Sequence, residues 1–184
     1  MKVRSERISQ QGRERDMGTR RLANATLMLA IILWGTLLGG VAYSHLVYFP
    51  VYLSDLPNSA VLVNGPYALS EGIFWMIIHP LLIISLVVAL VLNWTSPARR
   101  KLIALSLALY VIVLLISFFY FVPELVLFRN SPQSTVTATE WLARGRRWQR
   151  LSWLRGAVMY LAYVPLLFAL TKPADESLAT SRAR

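Results

Sequence analysis

One apolar stretch, Glu-Gly-Ile-Phe-Trp-Met-Ile-Ile-His-Pro, sets Glu71, Trp75 and His79 four residues apart. On a helix that spacing puts a carboxylate, an indole and an imidazole on one face, with His79 about 12 Å along the axis from Glu71. The chemistry such a face offers is proton transfer beside an aromatic surface. A neutral imidazole avoids the large penalty of a buried charge, and its pKa can be placed near neutrality, which makes His79 a candidate general base. Pro80 deprives the Met76 carbonyl of its helical partner, so the backbone there is polar as well. The competing reading is an ordinary kinked helix.

Other residues of the same chemical kind fall where they can join this face. His45 ends one apolar run, Glu124 ends another with Ser117, Tyr120 and Phe121 on its side of the helix, and Arg155 opens the last. Tyr48, Trp75 and Trp148 would rim the cluster. Ionisable residues inside a lipid-spanning segment are by default candidates for function, and a pocket between bundle helices is a common place for them. Each has a plainer reading: Glu124 and Arg155 pairing with each other, Glu71 facing its own helix N-terminus, His45 bonding a neighbouring helix. His45, His79, Glu71 and Glu124 are ligand types suited to zinc, iron or copper. Glu71 and His79 are nevertheless two turns apart, and no HxxH, HxxE or ExxH spacing occurs. The expectation is no metal and no resident cofactor; a haem held between His45 and His79 is the alternative.

Four long apolar runs must position these groups. They cover 22–49, 73–93, 102–122 and 151–171, each about 20 residues or more and long enough to cross a bilayer of about 30 Å. The chain of 184 residues is 56% hydrophobic and only 15% charged, where a soluble domain carries roughly a quarter charged residues. The expected fold is therefore an all-α integral membrane four-helix bundle. Residues 1–21 form a basic tail, 22–172 the transmembrane domain and 173–184 a short polar tail. Net charge is +10, but most Lys and Arg lie in tails and at segment ends, where membrane orientation accounts for them better than nucleic acid does. Membrane lipids are the expected surroundings, with no nucleic-acid partner. The absence of Cys excludes thiol redox chemistry, thiolate metal sites and iron–sulfur clusters.

Charge sets the orientation. Seven basic residues precede the first run, and Arg99, Arg100 and Lys101 follow the second, which places both termini in the cytoplasm of a multi-pass cell-membrane protein. The first run is too long for a cleaved signal core. Loop 51–70 carries turn formers and no Lys or Arg, as an outer loop should. The third loop departs from the rule with Arg129, Arg144, Arg146, Arg147 and Arg150, which hold either headgroup phosphates or an inward acid or anion. Thr137-Ala138-Thr139-Glu140 matches a capping box, so a helix is expected from about Ala138 into the fourth span, with Gly145 a bend. Trp141, Trp148, Ser152 and Arg155 share a stripe on it, and its 139–150 portion reads as an interfacial helix before the span. Gly35 and Gly39 have the small-xxx-small spacing of closely packed membrane helices.

The Gly-rich first span leading to Tyr48-Phe49-Pro50, the Phe121-Val122-Pro123-Glu124 ending of the third, and Trp148-Gln149-Arg150-Leu151-Ser152-Trp153-Leu154-Arg155 opening the fourth resemble one family. It is the group of small four-span membrane proteins that includes fungal anthrone oxygenases, most bacterial members being of unknown function. The likeness covers most of the chain through short motifs; the basic N-terminal tail departs from it. It implies a four-helix bundle with a polar pocket and, for some members, oxygenase activity. An enzyme of that kind would hold an apolar aromatic or quinol-like substrate against His45, Tyr48, Trp75, Tyr120 and Trp148. His79 would take its proton, Arg155 would stabilise the anion, and Glu71 or Glu124 would relay the proton outward. A non-catalytic assembly or partner-binding protein is the reading from another class.

Overall fold

The computed structural model describes residues 2–131 and 135–174, so the polar C-terminal tail falls largely outside it. The described chain is helical: α1 (Lys2–Tyr43), α2 (Phe49–Tyr52), α3 (Gly72–Leu92), α4 (Pro97–Ile116), α5 (Val122–Arg129) and α6 (Ala138–Leu170). A π-helical turn at Ser44–Tyr48 joins α1 to α2, and another at Ser117–Phe121 joins α4 to α5. The result is four long rods, Met17–Tyr52, Gly72–Leu92, Pro97–Arg129 and Ala138–Leu170, each long and apolar enough to cross a membrane. Only 22–33% of the most apolar stretch of each rod is buried inside the bundle. The uncovered Leu, Ile, Val and Phe far exceed what a soluble monomer exposes. This is an integral, multi-pass membrane protein.

Local sequence explains where the rods start and stop. Extended Ser96 followed by Pro97 opens α4, since proline at the first helical position loses only an N–H that has no partner there anyway. Thr137 and Glu140 form the expected capping box: the Thr137 N–H donates to Glu140 Oε2 at 3.0 Å, and the Glu140 N–H donates to Thr137 Oγ1 at 3.3 Å. From Ala138 the helix runs unbroken through Gly145 into the fourth span. Gly145 does not act as a bend: a Cβ there would lie 3.4 Å from the Leu56 side chain, so the glycine lets the 53–56 turn approach the helix. The tail before the first span is helical too, making α1 42 residues long, about 63 Å. Residues 2–21 thus extend the first rod beyond its apolar part.

Two apolar clusters hold the rods together. The larger, with Leu27, Trp34, Leu37, Leu82, Leu86, Tyr110 and Leu166, fills the bundle. The second caps one end, where Phe49, Tyr52, Leu53, Leu56, Phe121, Phe128, Trp141 and Trp148 meet. The expected small-residue contact in α1 is displaced by one position. A Cβ at Gly40 would stand 2.5 Å from the Phe74 ring, whereas Gly39 faces open space. The aromatic ring of α3 therefore seats on Gly40, while Gly35 packs against α6, where a Cβ would lie 3.6 Å from the Tyr163 hydroxyl.

The opposite end is tied by Arg99. Expected in a basic loop, it is instead 4% exposed on the first turn of α4. Its Nε donates to the Lys172 carbonyl at 2.8 Å, and its Nη1 donates to Asn24 Oδ1 at 2.6 Å and to Asn93 Oδ1 at 3.0 Å. Asn93 Nδ2 in turn donates to the carbonyls of Ala89 and Ala23, at 2.8 and 3.2 Å. One guanidinium thus ties α1 to the adjoining ends of α3, α4 and α6.

Candidate functional site

The capped end encloses a cavity of about 690 Å³. Its back wall is buried: Val41, His45, Phe49, Val113, Phe121 and Met159. Both π-helical turns face it, contributing Ser44, His45 and Tyr48 from one, Ser117, Phe118 and Phe121 from the other. Each turn starts at a serine six residues before a proline, Ser44 with Pro50 and Ser117 with Pro123. A proline cannot donate to the preceding turn, and a widened π turn is one way a helix absorbs that loss; such turns frequently occur at functional sites. That shared spacing is the sequence signal for these turns.

Arg155 projects from α6 into this cavity. Its Nη1 donates to Ser117 Oγ at 3.1 Å and its Nη2 to Ser152 Oγ at 2.9 Å. Its Cζ lies 4.1 Å from the centroid of the Phe121 ring, a cation–π contact. Its Nε is buried without a partner, and among the described residues no carboxylate pairs with it. Glu124, one expected partner, is bound 2.8 Å from Arg144 Nη2 instead. A half-buried cation held only by neutral groups leaves part of its desolvation uncompensated.

His45 is linked to that arginine. Its Nδ1 is 2.7 Å from the Val41 carbonyl and its Nε2 is 2.9 Å from Ser152 Oγ. A carbonyl only accepts, so Nδ1 carries the hydrogen and donates. Ser152 accepts from the guanidinium, which only donates, and turns its own hydrogen to Nε2. This network suits the neutral Nδ1–H form of the imidazole, which is 2% exposed. With neither ring nitrogen free, His45 does not fit the axial-ligand role that a bis-histidine haem requires. Among the described residues no three His, Asp or Glu side chains cluster as a metal site would need.

His79 is different. Nδ1 meets the Tyr110 hydroxyl at 2.5 Å, the ring stacks on Trp75 at 5.7 Å, and Nε2 has no protein partner among the described residues. Tyr110 is wholly buried against Trp34, a partner that helix-face counting along a single span does not reveal. Glu71, just before α3, lines the mouth and accepts from Ser44 Oγ at 2.8 Å. Burial raises its carboxyl above the usual range, against the lowering effect of its hydrogen bonds from Ser44 and Trp75.

The cavity therefore brings together His45, Tyr48, Glu71, Trp75, His79 and Arg155. Tyr120, Glu124 and Trp148 stand outside its wall. Trp148 is fully buried in the capping cluster, its Nε1 donating to the Phe121 carbonyl at 3.1 Å. The Tyr120 ring leans on Phe121 at 5.0 Å. Among the groups that touch the site, sequence reasoning did not single out Ser44 or Tyr110, and it had Ser152 only as a member of the α6 stripe with Arg155. No family model, curated protein or solved structure matches this chain.

Proposed function

We propose that this membrane protein is an oxygenase-like enzyme that takes an apolar aromatic or quinol-like molecule into the cavity, as its resemblance to the anthrone oxygenase-like proteins implies. One observation carries the reading: Arg155, a half-buried guanidinium whose buried Nε has no partner and beside which no acid stands among the described residues, faces a largely apolar cavity big enough for a ring system. An oxygen that becomes negative during reaction would supply the missing counter-charge in a site of low dielectric, where such stabilisation is strongest.

Trp75 offers the ring a flat apolar neighbour. His79 takes the proton on Nε2 while Nδ1–H donates to the Tyr110 oxygen, which keeps the imidazole oriented. A ring methylene that gives up its proton leaves an enolate, whose oxygen Arg155 holds. Dioxygen, soluble in membranes, adds to the carbon, and the hydroperoxide loses water to leave a ketone. One oxygen atom stays in the product and the other leaves in water, so the step needs no further reductant.

The test is dioxygen uptake by the protein in lipid nanodiscs with anthrone as the probe. The expected result is one ketone formed per dioxygen consumed, with kcat/KM lowered about 100-fold or more in Arg155→Ala and also lowered in Arg155→Lys, whose point charge lacks the planar fork. Undiminished turnover in folded Arg155→Ala protein would sink the proposal. Ligand binding without turnover in the wild type would favour the non-catalytic reading.

A further inference from the structure

The wall of the cavity is uneven, and the unevenness is directional. Every exposed residue that lines it belongs to one of two edges. One edge is the 69–72 turn and α3, with Leu69, Met76 and Pro80. The other is the α4–α5 rod, with Phe118, Val122, Val126 and Arg129. The lining residues from α1 and α6 are buried or half-buried. The cavity is thus open along a slit between α3 and the α4–α5 rod.

The depth of the slit says what it opens onto. Along α3 it reaches from Gly72 to Pro80, about 12 Å, and along α4–α5 from Arg129 to Phe118, about 16 Å. A hydrocarbon core is about 30 Å thick, so the deeper part of such a slit faces acyl chains rather than water. Its edges match that medium: Met76 is 72% exposed, Phe118 68%, Val122 51% and Val126 52%. The polar groups Arg155 and His79 are half-buried instead, and Glu71 stands at the mouth.

We infer that the ligand of this site is a tailed amphiphile, a ring bearing acidic or carbonyl oxygens with an alkyl chain, whose ring seats at Arg155 and His79 while its chain leaves through the slit between α3 and α4–α5 into the bilayer. The inference rests on the reading of Arg155 as a ligand-binding group. It adds that the site is filled sideways from the membrane, and that chain length is part of what is recognised. Apolar contact along Met76, Phe118, Val122 and Val126 would hold the first carbons of the chain, each buried methylene adding favourable transfer energy only where it leaves a less well packed medium.

The experiment uses the full chain in nanodiscs and two probes that quench tryptophan, 2-methyl-1,4-naphthoquinone and its 3-decyl derivative, at equal mole fractions in the lipid. Quenching that Arg155→Ala removes reports the cavity. The expected result is that the decyl probe binds at least tenfold tighter. Filling the slit with the Val122→Phe/Val126→Phe double variant should reduce that preference to under threefold while the tail-free probe still binds, which also shows that the variant is folded. Equal binding of the two probes, or a preference that the double variant leaves intact, overturns the lateral slit and leaves the ring site standing. If neither probe shows Arg155-dependent quenching, the ring site itself fails and the inference with it.

Discussion

Arg99 is buried on the first turn of α4 and Arg155 is half-buried midway along α6; both lack a carboxylate partner among the described residues, and they sit toward opposite ends of the bundle. Their surroundings differ. Arg99 donates to a backbone carbonyl and two side-chain amide oxygens that draw four rods together. Arg155 meets two serine hydroxyls and a ring, keeps an unpartnered Nε, and borders a cavity of about 690 Å³. Burial alone does not mark a functional cation. What distinguishes the two is whether the protein satisfies the group or leaves that to something else. The same contrast separates the histidines: His45 has both nitrogens used, whereas His79, which lines the cavity, keeps Nε2 without a protein partner among the described residues.

The sharpest way to break the comparison is to exchange the damage. Arg99→Met should leave Asn24, Asn93 and the Lys172 carbonyl without their donor and cost about 3 kcal/mol or more of stability, read as a large fall in the thermal midpoint in nanodiscs. Arg155→Met should do the reverse, keeping the midpoint near that of the wild type, because an apolar residue replaces a half-buried charge that no carboxylate offsets, while ligand binding disappears. If Arg155→Met unfolds the protein and Arg99→Met abolishes binding in a stable fold, the assignment of the two arginines is inverted.

A smaller effect sharpens it. Ser152→Ala removes the hydroxyl shared by His45 and Arg155, and should lower stability by about 1–2 kcal/mol while weakening ligand affinity severalfold through a loosened Arg155. A stability loss with unchanged affinity would make Ser152 a partner of His45 alone. The smallest effect belongs to Glu124. Paired with the half-exposed Arg144 outside the cavity wall, it should contribute about 1 kcal/mol or less, so Glu124→Gln should leave ligand affinity unchanged within twofold. A tenfold loss there would place Glu124 in the site after all.

Much of this protein is determined by its sequence. Apolar runs longer than a bilayer is thick make the four rods, because a backbone in lipid must satisfy its own hydrogen bonds. Thr137 and Glu140 start α6, and Ser96-Pro97 starts α4, through contacts within one turn. The face shared by Glu71, Trp75 and His79 was legible for the same reason: helical periodicity is local. Only the tertiary structure decided which long side chains meet. Arg144 rather than Arg155 took Glu124, Tyr110 took His79 from a neighbouring rod, and Arg99 turned inward to knot the rods. A guanidinium reaches several ångströms, so its partner depends on how each rod is rotated about its axis. Long-range contacts such as Phe74 seated on Gly40 help fix that rotation; they join residues far apart in sequence and leave no periodic trace along any one helix.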